Sequence, residues 1–503
     1  MPSPCKILTN SCSTTSMAHD ELTKRVSFGQ MEPANSPEGN MRVLIAIAHH
    51  GSKNRTYLQR MIETFRAMSF QVDIVILSDS HKFFPDDIEV LVGQPSEDPW
   101  SLPFAHRQLF LDRKDDYDLY VYSEDDTLIE QRHLEAVLEL TDILPDDYLV
   151  GSLRYEVHPD GQESYSSVHS HYRWDPTSVF VRSGLTFARF SNDHAAWYAV
   201  TREQLARAIA SGGFVVRPHS GRYDMLVSAA TDVFTQCGFS RVICLDRIDD
   251  LLVHHMPNVY LGQLGVDGRS FRTQIEALFE IGRGEREALQ LIDPETRIDS
   301  SWNRCSHMHV PTSLAELVPR HASRILSVGA TSGTVELAMR RMGHDVTTIP
   351  VDSVFAKVQR MQGLNVLQPT LRSLEDTSPV EFFDRILLLD LLPYLERPVS
   401  ALRLLRTVLR HGGQLLATMP NHRRYIWRQR LSPGRSARPL PRSFSLDGMH
   451  WTDYRVLRCW LNNAGYDISR VRYRCATRED PFGTGGSRAI LRGNSLAVWA
   501  TSD

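Results

Sequence analysis

From Met41 onward, short and wholly apolar runs alternate with segments whose apolar residues recur at helical spacing. Arg42–Ala48 (RVLIAIA) predicts a buried strand. Asn54–Met68 follows with Tyr57, Leu58, Met61, Ile62 and Phe65 at helical spacing, and Val72–Leu77 (VDIVIL) predicts a second strand running into Ser78-Asp79. Tyr117–Tyr122 predicts a third, which leads into Glu124-Asp125-Asp126. Continuously apolar strands separated by helices belong to a mostly parallel sheet covered on both faces. Residues 266–318 read differently, as a helical connector: Thr273–Ile281 and Arg286–Ile292 are expected to be helical around Gly282–Gly284, with Pro294 closing the stretch. A second alternation begins at Ser323. Arg324–Val328, Asp345–Ile349, Asp384–Leu389, Gln414–Met419 and Ser495–Ala500 predict strands, while Thr334–Met342, Val399–Leu409 and Tyr454–Ala464 predict helices. The halves share a layer type and no repeat, so the expected fold class is α/β with two fused domains, 41–265 and 319–503.

Composition adds boundaries. A chain of 503 residues exceeds what one hydrophobic core organises. The first 40 residues are rich in Ser, Asn, Pro and Thr, lack the basic-then-apolar order of a signal peptide, and are expected to be disordered. The net charge of -4 gives no electrostatic ground for nucleic acid as a partner. Seven scattered cysteines without CxxC spacing form neither a disulfide framework nor a zinc site. No apolar run approaches the roughly 20 residues that span a bilayer. A cytoplasmic enzyme without a transmembrane segment is the expectation.

Candidate chemistry begins with the segment DLYVYSEDDTLI, Asp118–Ile129. Three carboxylates at the end of a buried strand are costly unless something neutralises them. Hard oxygens so clustered suit Mg²⁺ or Mn²⁺ shared with phosphate, and strand ends of open α/β sheets are where ligands bind. The plain alternative is a solvated turn. In this position the segment resembles the ExD metal motif of GT-A glycosyltransferases. The resemblance covers roughly Met41–Gly265 and includes RVLIAIAHHGSKNRTYL, the strand running to Asp79, PFAHRQLF at Pro103–Phe110 and LLVHHMPNVY at Leu251–Tyr260. It implies a nucleotide-sugar-binding, Rossmann-type sheet with Glu124 and Asp126 as metal ligands and His254 or His255 as a further one. Asp79, Arg107 and Asp125 would then contact the nucleotide-sugar. Such enzymes can need a carboxylate to deprotonate the acceptor hydroxyl; Asp224 and Asp232, in GRYDMLVSAATDVF, lie where that base is often found. A cap or a solvated surface is the plain alternative for both.

In the second half, ILSVGATSG at Ile325–Gly333 places a small-residue turn between strand and helix, which lets a ligand approach the backbone. With GHDVTTIPVD at Gly343–Asp352, FFDRILLLDLLPYLERPVSALRLLRTVLRHGGQLLATMPN at Phe382–Asn421 and HWTDYRVLRCWLNNAGYDI at His450–Ile468, it resembles class I S-adenosylmethionine-dependent methyltransferases over about Pro319–Thr501. The resemblance implies a Rossmann-like seven-stranded sheet and a cofactor held near Gly329, Thr331, Gly333, Asp352 and Asp390. Two positions depart from the pattern. Thr331 stands in the middle of the glycine loop, and Pro350 stands where an acidic residue normally holds the cofactor ribose; Asp352 is the nearest replacement. Seven arginines and no acid in His422–Arg442 suit a phosphate-bearing or otherwise anionic acceptor, or simply a solvated loop.

The resulting expectation is a bifunctional enzyme. It would transfer sugar from a nucleotide-sugar donor to a glycan or glycoconjugate and methylate with S-adenosyl-L-methionine. Two alternatives are a glycosyltransferase with a silent methyltransferase-like, acceptor-binding domain, and a methyltransferase with a non-catalytic sugar-binding domain.

Overall fold

A computed structural model describes residues 41–501 except 166–172, 262–265, 294–296, 299–314, 316, 320, 322, 378–381, 432–439, 475–482 and 485–494; side chains at 427–431, 474, 483 and 484 also lie outside the described set. The expectation for residues 1–40 falls outside it, as does most of the arginine-rich run.

The first strands behave as the apolar pattern requires. In chain order they are β1 (Arg42–His49), α1 (Arg55–Arg66), β2 (Gln71–Ser78), β3 (Ile88–Val92), α2 (Ala105–Asp112), β4 (Leu119–Glu124), β5 (Thr127–Leu128) and α3 (Gln131–Ile143). Seven of the eight residues of β1 are buried, so it sits at the centre of its sheet. Helix α1 buries Leu58, Met61, Ile62 and Phe65 against that sheet's core. There follow β6 (Tyr148–Val150), β7 (Leu153–Val157), β8 (Glu163–Tyr165), β9 (Trp174–Arg182), β10 (Leu185–Phe190), β11 (Trp197–Thr201), α4 (Arg202–Ala210), α5 (Met225–Thr235), β12 (Ser240–Cys244), β13 (Leu252–His255), β14 (Val266–Asp267) and α6 (Gly268–Gly282).

Among the described residues, these strands form three sheets and not one. The main sheet has the order β11-β4-β1-β2-β3, parallel except where β11 runs antiparallel to β4. Two smaller sheets, β6-β12-β10-β9 and β14-β8-β7-β13-β5, add the antiparallel character that the sequence pattern did not predict. Their strands are short and half polar, so no continuous apolar run marks them.

The second half contributes β15 (Arg324–Ala330), α7 (Thr334–Arg341), β16 (Asp345–Pro350), α8 (Ser353–Met361), β17 (Asn365–Val366), α9 (Ser373–Thr377), β18 (Phe383–Leu389), α10 (Pro398–Val408), β19 (Leu409–Pro420), α11 (His422–Leu431), α12 (Phe444–Asp447), α13 (Tyr454–Asn463), β20 (Asp467–Arg474), β21 (Gly483–Thr484) and β22 (Ser495–Thr501). The described strands make one sheet, β17-β16-β15-β18-β19-β22-β20-β21. It has eight strands where seven were expected, the extra one being the two-residue β21. Its first five strands are parallel; β22 runs antiparallel to β19, and β20, antiparallel to β22, points the same way as the first five.

The connector differs from its predicted form. Thr273–Ile281 lies inside α6, but Arg286–Ile292 is extended and not helical. Its backbone partners are distant in sequence: Leu291 N donates to Val351 O at 2.8 Å, Ser353 N to Leu289 O at 3.0 Å, and Leu289 N to Ser353 Oγ at 2.9 Å. Backbone groups satisfied in this way have no need of a helix. Helix α6 packs along α8, and Val354 of α8 joins the hydrophobic core of the first half. Two Lys357 contacts reinforce that seam, with Glu280 at 2.5 Å and Glu276 at 3.1 Å.

Candidate functional sites

The carboxyl end of β4 emerges beside that of β1, because Ala48 pairs with Glu124 in register. There a cavity of about 290 Å³ is lined by His50 and Asn54, by Trp100 and Pro103, and by Glu124, Asp125 and Asp126. The short Pro99–Phe104 helix forms one wall; Asp98 caps it by accepting from Trp100 N at 3.0 Å.

The three acids have different surroundings. Asp125 is buried and bonded inward, to His49 Nδ1 at 2.5 Å and from Asn54 Nδ2 at 2.7 Å. Asp126 is only partly engaged: Asn54 Nδ2 donates to its Oδ2 at 3.4 Å, while its Oδ1 is buried with no hydrogen-bond partner. Burial and the neighbouring Asp126 charge push the Glu124 carboxyl up to about 8, so without a cation nearby this carboxyl favours its neutral form near pH 7.

The two histidines separate cleanly. His255 is buried; its Nδ1 meets Glu156 Oε1 at 2.6 Å and its Nε2 faces Asp126 Oδ2 at 3.6 Å. Burial lowers its pKa, but the Asp126 and Glu156 hydrogen bonds outweigh that and raise it. His254 points elsewhere, stacked on Tyr155 and 3.1 Å from Asn258 Oδ1. This selection follows from β13 pairing with β5, which sets His255 opposite Thr127, next to Asp126. Glu156, which the sequence reading missed, is fully buried and also accepts from Tyr260 N at 3.0 Å. No local signal marks it, because β7 reads LRYEV and carries Arg154 as well.

Other expected contacts take different roles. Arg107 and Asp232 are both buried and bonded to each other at 2.9 Å. Arg107 also donates to Phe214 O, Ser228 O and Ala229 O, and His219 Nε2 lies 2.8 Å from Asp232 Oδ2. They tie α2 to α5 within the core, so Arg107 is buried away from the cavity lining and Asp232 is no accessible base. Asp224 caps α5, accepting from Val227 N at 3.0 Å; it is exposed, two residues before the cavity-lining Leu226. Burial opposes ionisation of Asp79, but Lys82 at 2.7 Å and the Gly51 N–H hold its pKa at about 2. Among the described residues, no three His, Cys, Asp or Glu side chains are gathered closely enough to hold a metal ion by themselves.

In the second half, β15 ends in a turn where Gly329 and Gly333 have φ of +78° and +77°. A Cβ on Gly329 would lie 2.9 Å from Leu391 Cδ1, so both backbone angle and space demand glycine. Thr331 is buried, and its carbonyl accepts from Gln359 Nε2 at 2.7 Å; Gln362 Nε2 reaches Ser332 O at 3.0 Å. Gln359 lies on α8, and Gln362 is the residue that caps the end of that helix. Asp390 follows β18 with φ +53°, and its Oδ1 accepts from Thr418 Oγ1 at 2.9 Å.

Pro350 pairs with Ala330 beside the glycine turn, so a proline occupies the strand end where a ribose-binding acid was sought. Asp352 does not replace it. Asp352 is fully buried, its Oδ1 accepts from Val354 N and Phe355 N, and its Oδ2 accepts from Arg173 at 2.7 Å.

Comparison with known proteins assigns the second half. Residues 305–471 match the family model described as a methyltransferase domain. The chain is 27% identical over 166 residues to the ubiquinone biosynthesis O-methyltransferase of Xanthomonas axonopodis pv. citri, covering 31% of this chain and 67% of that protein. It is 26% identical over 158 residues to the enzyme of the same name from Xanthomonas euvesicatoria pv. vesicatoria, covering 30% and 64%. The chain thus spans about two thirds of the length of these relatives. Among solved structures, a SAM-dependent methyltransferase from Archaeoglobus fulgidus is similar at 15% identity and a TM-score of 0.30, covering 40% of this chain and 96% of that one. Residues 305–471 are therefore a methyltransferase domain. Its glycine turn leaves the backbone open to close approach at the sheet's carboxyl end, and Pro350 brings no carboxylate there.

Proposed function

We propose that the chain is a two-site transferase: a cation-assisted sugar transferase in its first half, using a nucleotide-sugar donor, and a methyltransferase in its second. One observation carries the first part. Glu124 and Asp126 border a cavity of about 290 Å³, with a buried Asp126 oxygen that no protein donor reaches. Mg²⁺ or Mn²⁺ at such a site needs only one or two carboxylates when phosphate and water supply the remaining ligands, which accommodates the absence of a complete protein cage among the described residues.

Glu124 and Asp126 would hold the cation, with His255 oriented toward Asp126 by Glu156. When bound, the cation neutralises charge that develops on a departing nucleoside diphosphate. Asp125, fixed by His49 and Asn54, keeps the acidic turn in place. Asp224 is the candidate base for a glycan or glycoconjugate hydroxyl, being exposed beside the cavity wall where Asp232 is buried. In the methyltransferase half, Gly329, Thr331, Gly333 and Asp390 would border the methyl donor. The test is calorimetry of UDP-sugars and GDP-sugars with and without Mn²⁺. Cation-dependent binding that disappears in Asp126→Ala supports the sugar-transfer reading, and cation-independent or absent binding rejects it.

A second reading has one observation in its favour. With Pro350 at the ribose position and Asp352 committed to Arg173, the second domain would bind acceptor without transferring methyl groups. Tritium transfer from labelled S-adenosylmethionine separates the two readings.

A further inference from the structure

The glycine turn is held by α8, and α8 is held by the first half of the chain. Gln359 of α8 and Gln362, which caps the helix end, donate to the carbonyls of Thr331 and Ser332. At the start of the same helix, Asp352 caps Val354 and Phe355 with one oxygen and receives Arg173 with the other. Arg173 stands immediately before β9 and is 1% exposed; its second terminal nitrogen donates to Ile292 O at 2.8 Å. A single guanidinium therefore fixes both the Arg286–Ile292 segment of the connector and the first turn of α8. Lys357 adds a second grip, through Glu276 and Glu280 of α6.

A surface link between domains would need no fully buried charge pair, and one broken partner leaves an uncompensated charge. A planar fork holds two acceptors on different segments in one fixed geometry, which an ammonium on a flexible stem does not. We propose that Arg173 is a positioning residue for the methyl-donor site: through Asp352 and α8 it sets the glycine turn, so donor affinity in the second half depends on a side chain of the first. The proposal rests on the reading that this turn borders S-adenosylmethionine.

The test uses the full chain and S-adenosylhomocysteine as probe, with hydrogen exchange of the amides at 329–335 as a readout that needs no ligand. Arg173→Met is expected to speed exchange in that turn while leaving β1 and β4 unchanged, and to weaken probe binding by about five- to 150-fold, the usual range for coupled sites. Arg173→Lys keeps the charge without the fork and should recover only part of that affinity. If Arg173→Met does not fold, Gln362→Ala, an exposed substitution at the last link, should still loosen the turn. Unchanged turn exchange in the folded variants, or a rise spread equally over β1 and β4, overturns the proposal. Failure of even the unaltered chain to bind the probe rejects the methyl-donor reading instead, and turn exchange then decides the relay alone.

Discussion

At Asp126 a carboxylate oxygen is enclosed with no donor, while Asp125 beside it has two. That contrast predicts unequal effects. Asp126→Asn should abolish cation-dependent nucleotide binding. Glu156→Ala, which frees His255 to rotate, should weaken cation affinity by about 10- to 100-fold, as loss of an orienting partner does; titration with Mn²⁺ measures both. In the other half, Pro350→Asp restores an acid next to the glycine turn and should tighten S-adenosylhomocysteine binding. Hydrogen bonds to a charged group contribute about 1.5–3 kcal/mol, and calorimetry reads the change directly. The acidic triplet was legible in the sequence because it follows an unbroken apolar strand. The choice of His255 over His254 was not, since neighbouring residues on a strand point to opposite faces and the pairing of β5 with β13 decides which meets Asp126. Nor was the fate of Asp232 and Arg107, because nothing local announces that two charges will bury each other.

At the level of elements, α3 begins with a cap built from a neutral imidazole. His133 Nδ1 accepts from Glu130 N at 2.8 Å and Nε2 lies 3.0 Å from Leu252 O, so one nitrogen must accept while the other donates. Burial lowers the pKa of His133 from 6.5 to about 4. The unfolded chain therefore takes up the proton first, and this contribution is intact above pH 6.5 and lost as pH falls towards 4. Melting temperatures recorded over that window should fall more steeply for the native chain than for His133→Gln, which keeps an acceptor for the cap but does not titrate. The strands of the main sheet and the parallel part of the second sheet could be read from apolar runs alone. Arg286–Ile292 could not, because its backbone partners in Val351–Ser353 outweigh its local preference.

For the molecule as a whole, the Arg173–Asp352 pair and the α6–α8 seam join two halves that the sequence presents as separate alternations. Removing one partner of a fully buried pair costs about 3–5 kcal/mol. Denaturant unfolding of Arg173→Met should accordingly show a reduced midpoint, together with separated transitions if the seam is what makes the halves unfold as one; a single unshifted transition contradicts this. The family match of residues 305–471 agrees with the resemblance drawn from the glycine turn and the later motifs. The seam was invisible beforehand, for Arg173 and Asp352 lie far apart, Arg173 belongs to no recognisable motif, and the motif that ends at Asp352 suggests a ligand and not a partner from the first half.

The pairing of Thr127–Leu128 with Leu252–His255 has a consequence for how the protein is born. Synthesis runs from the amino end, and segments fold as they emerge. The acidic turn leaves the ribosome long before the strand that delivers its second imidazole, and until then His49 and Asn54 can serve Asp125 while water alone screens Glu124 and most of Asp126. A nascent chain stalled short of Leu252 would carry a hydrated, splayed turn, so competence to capture a cation arrives late, with the closing strand.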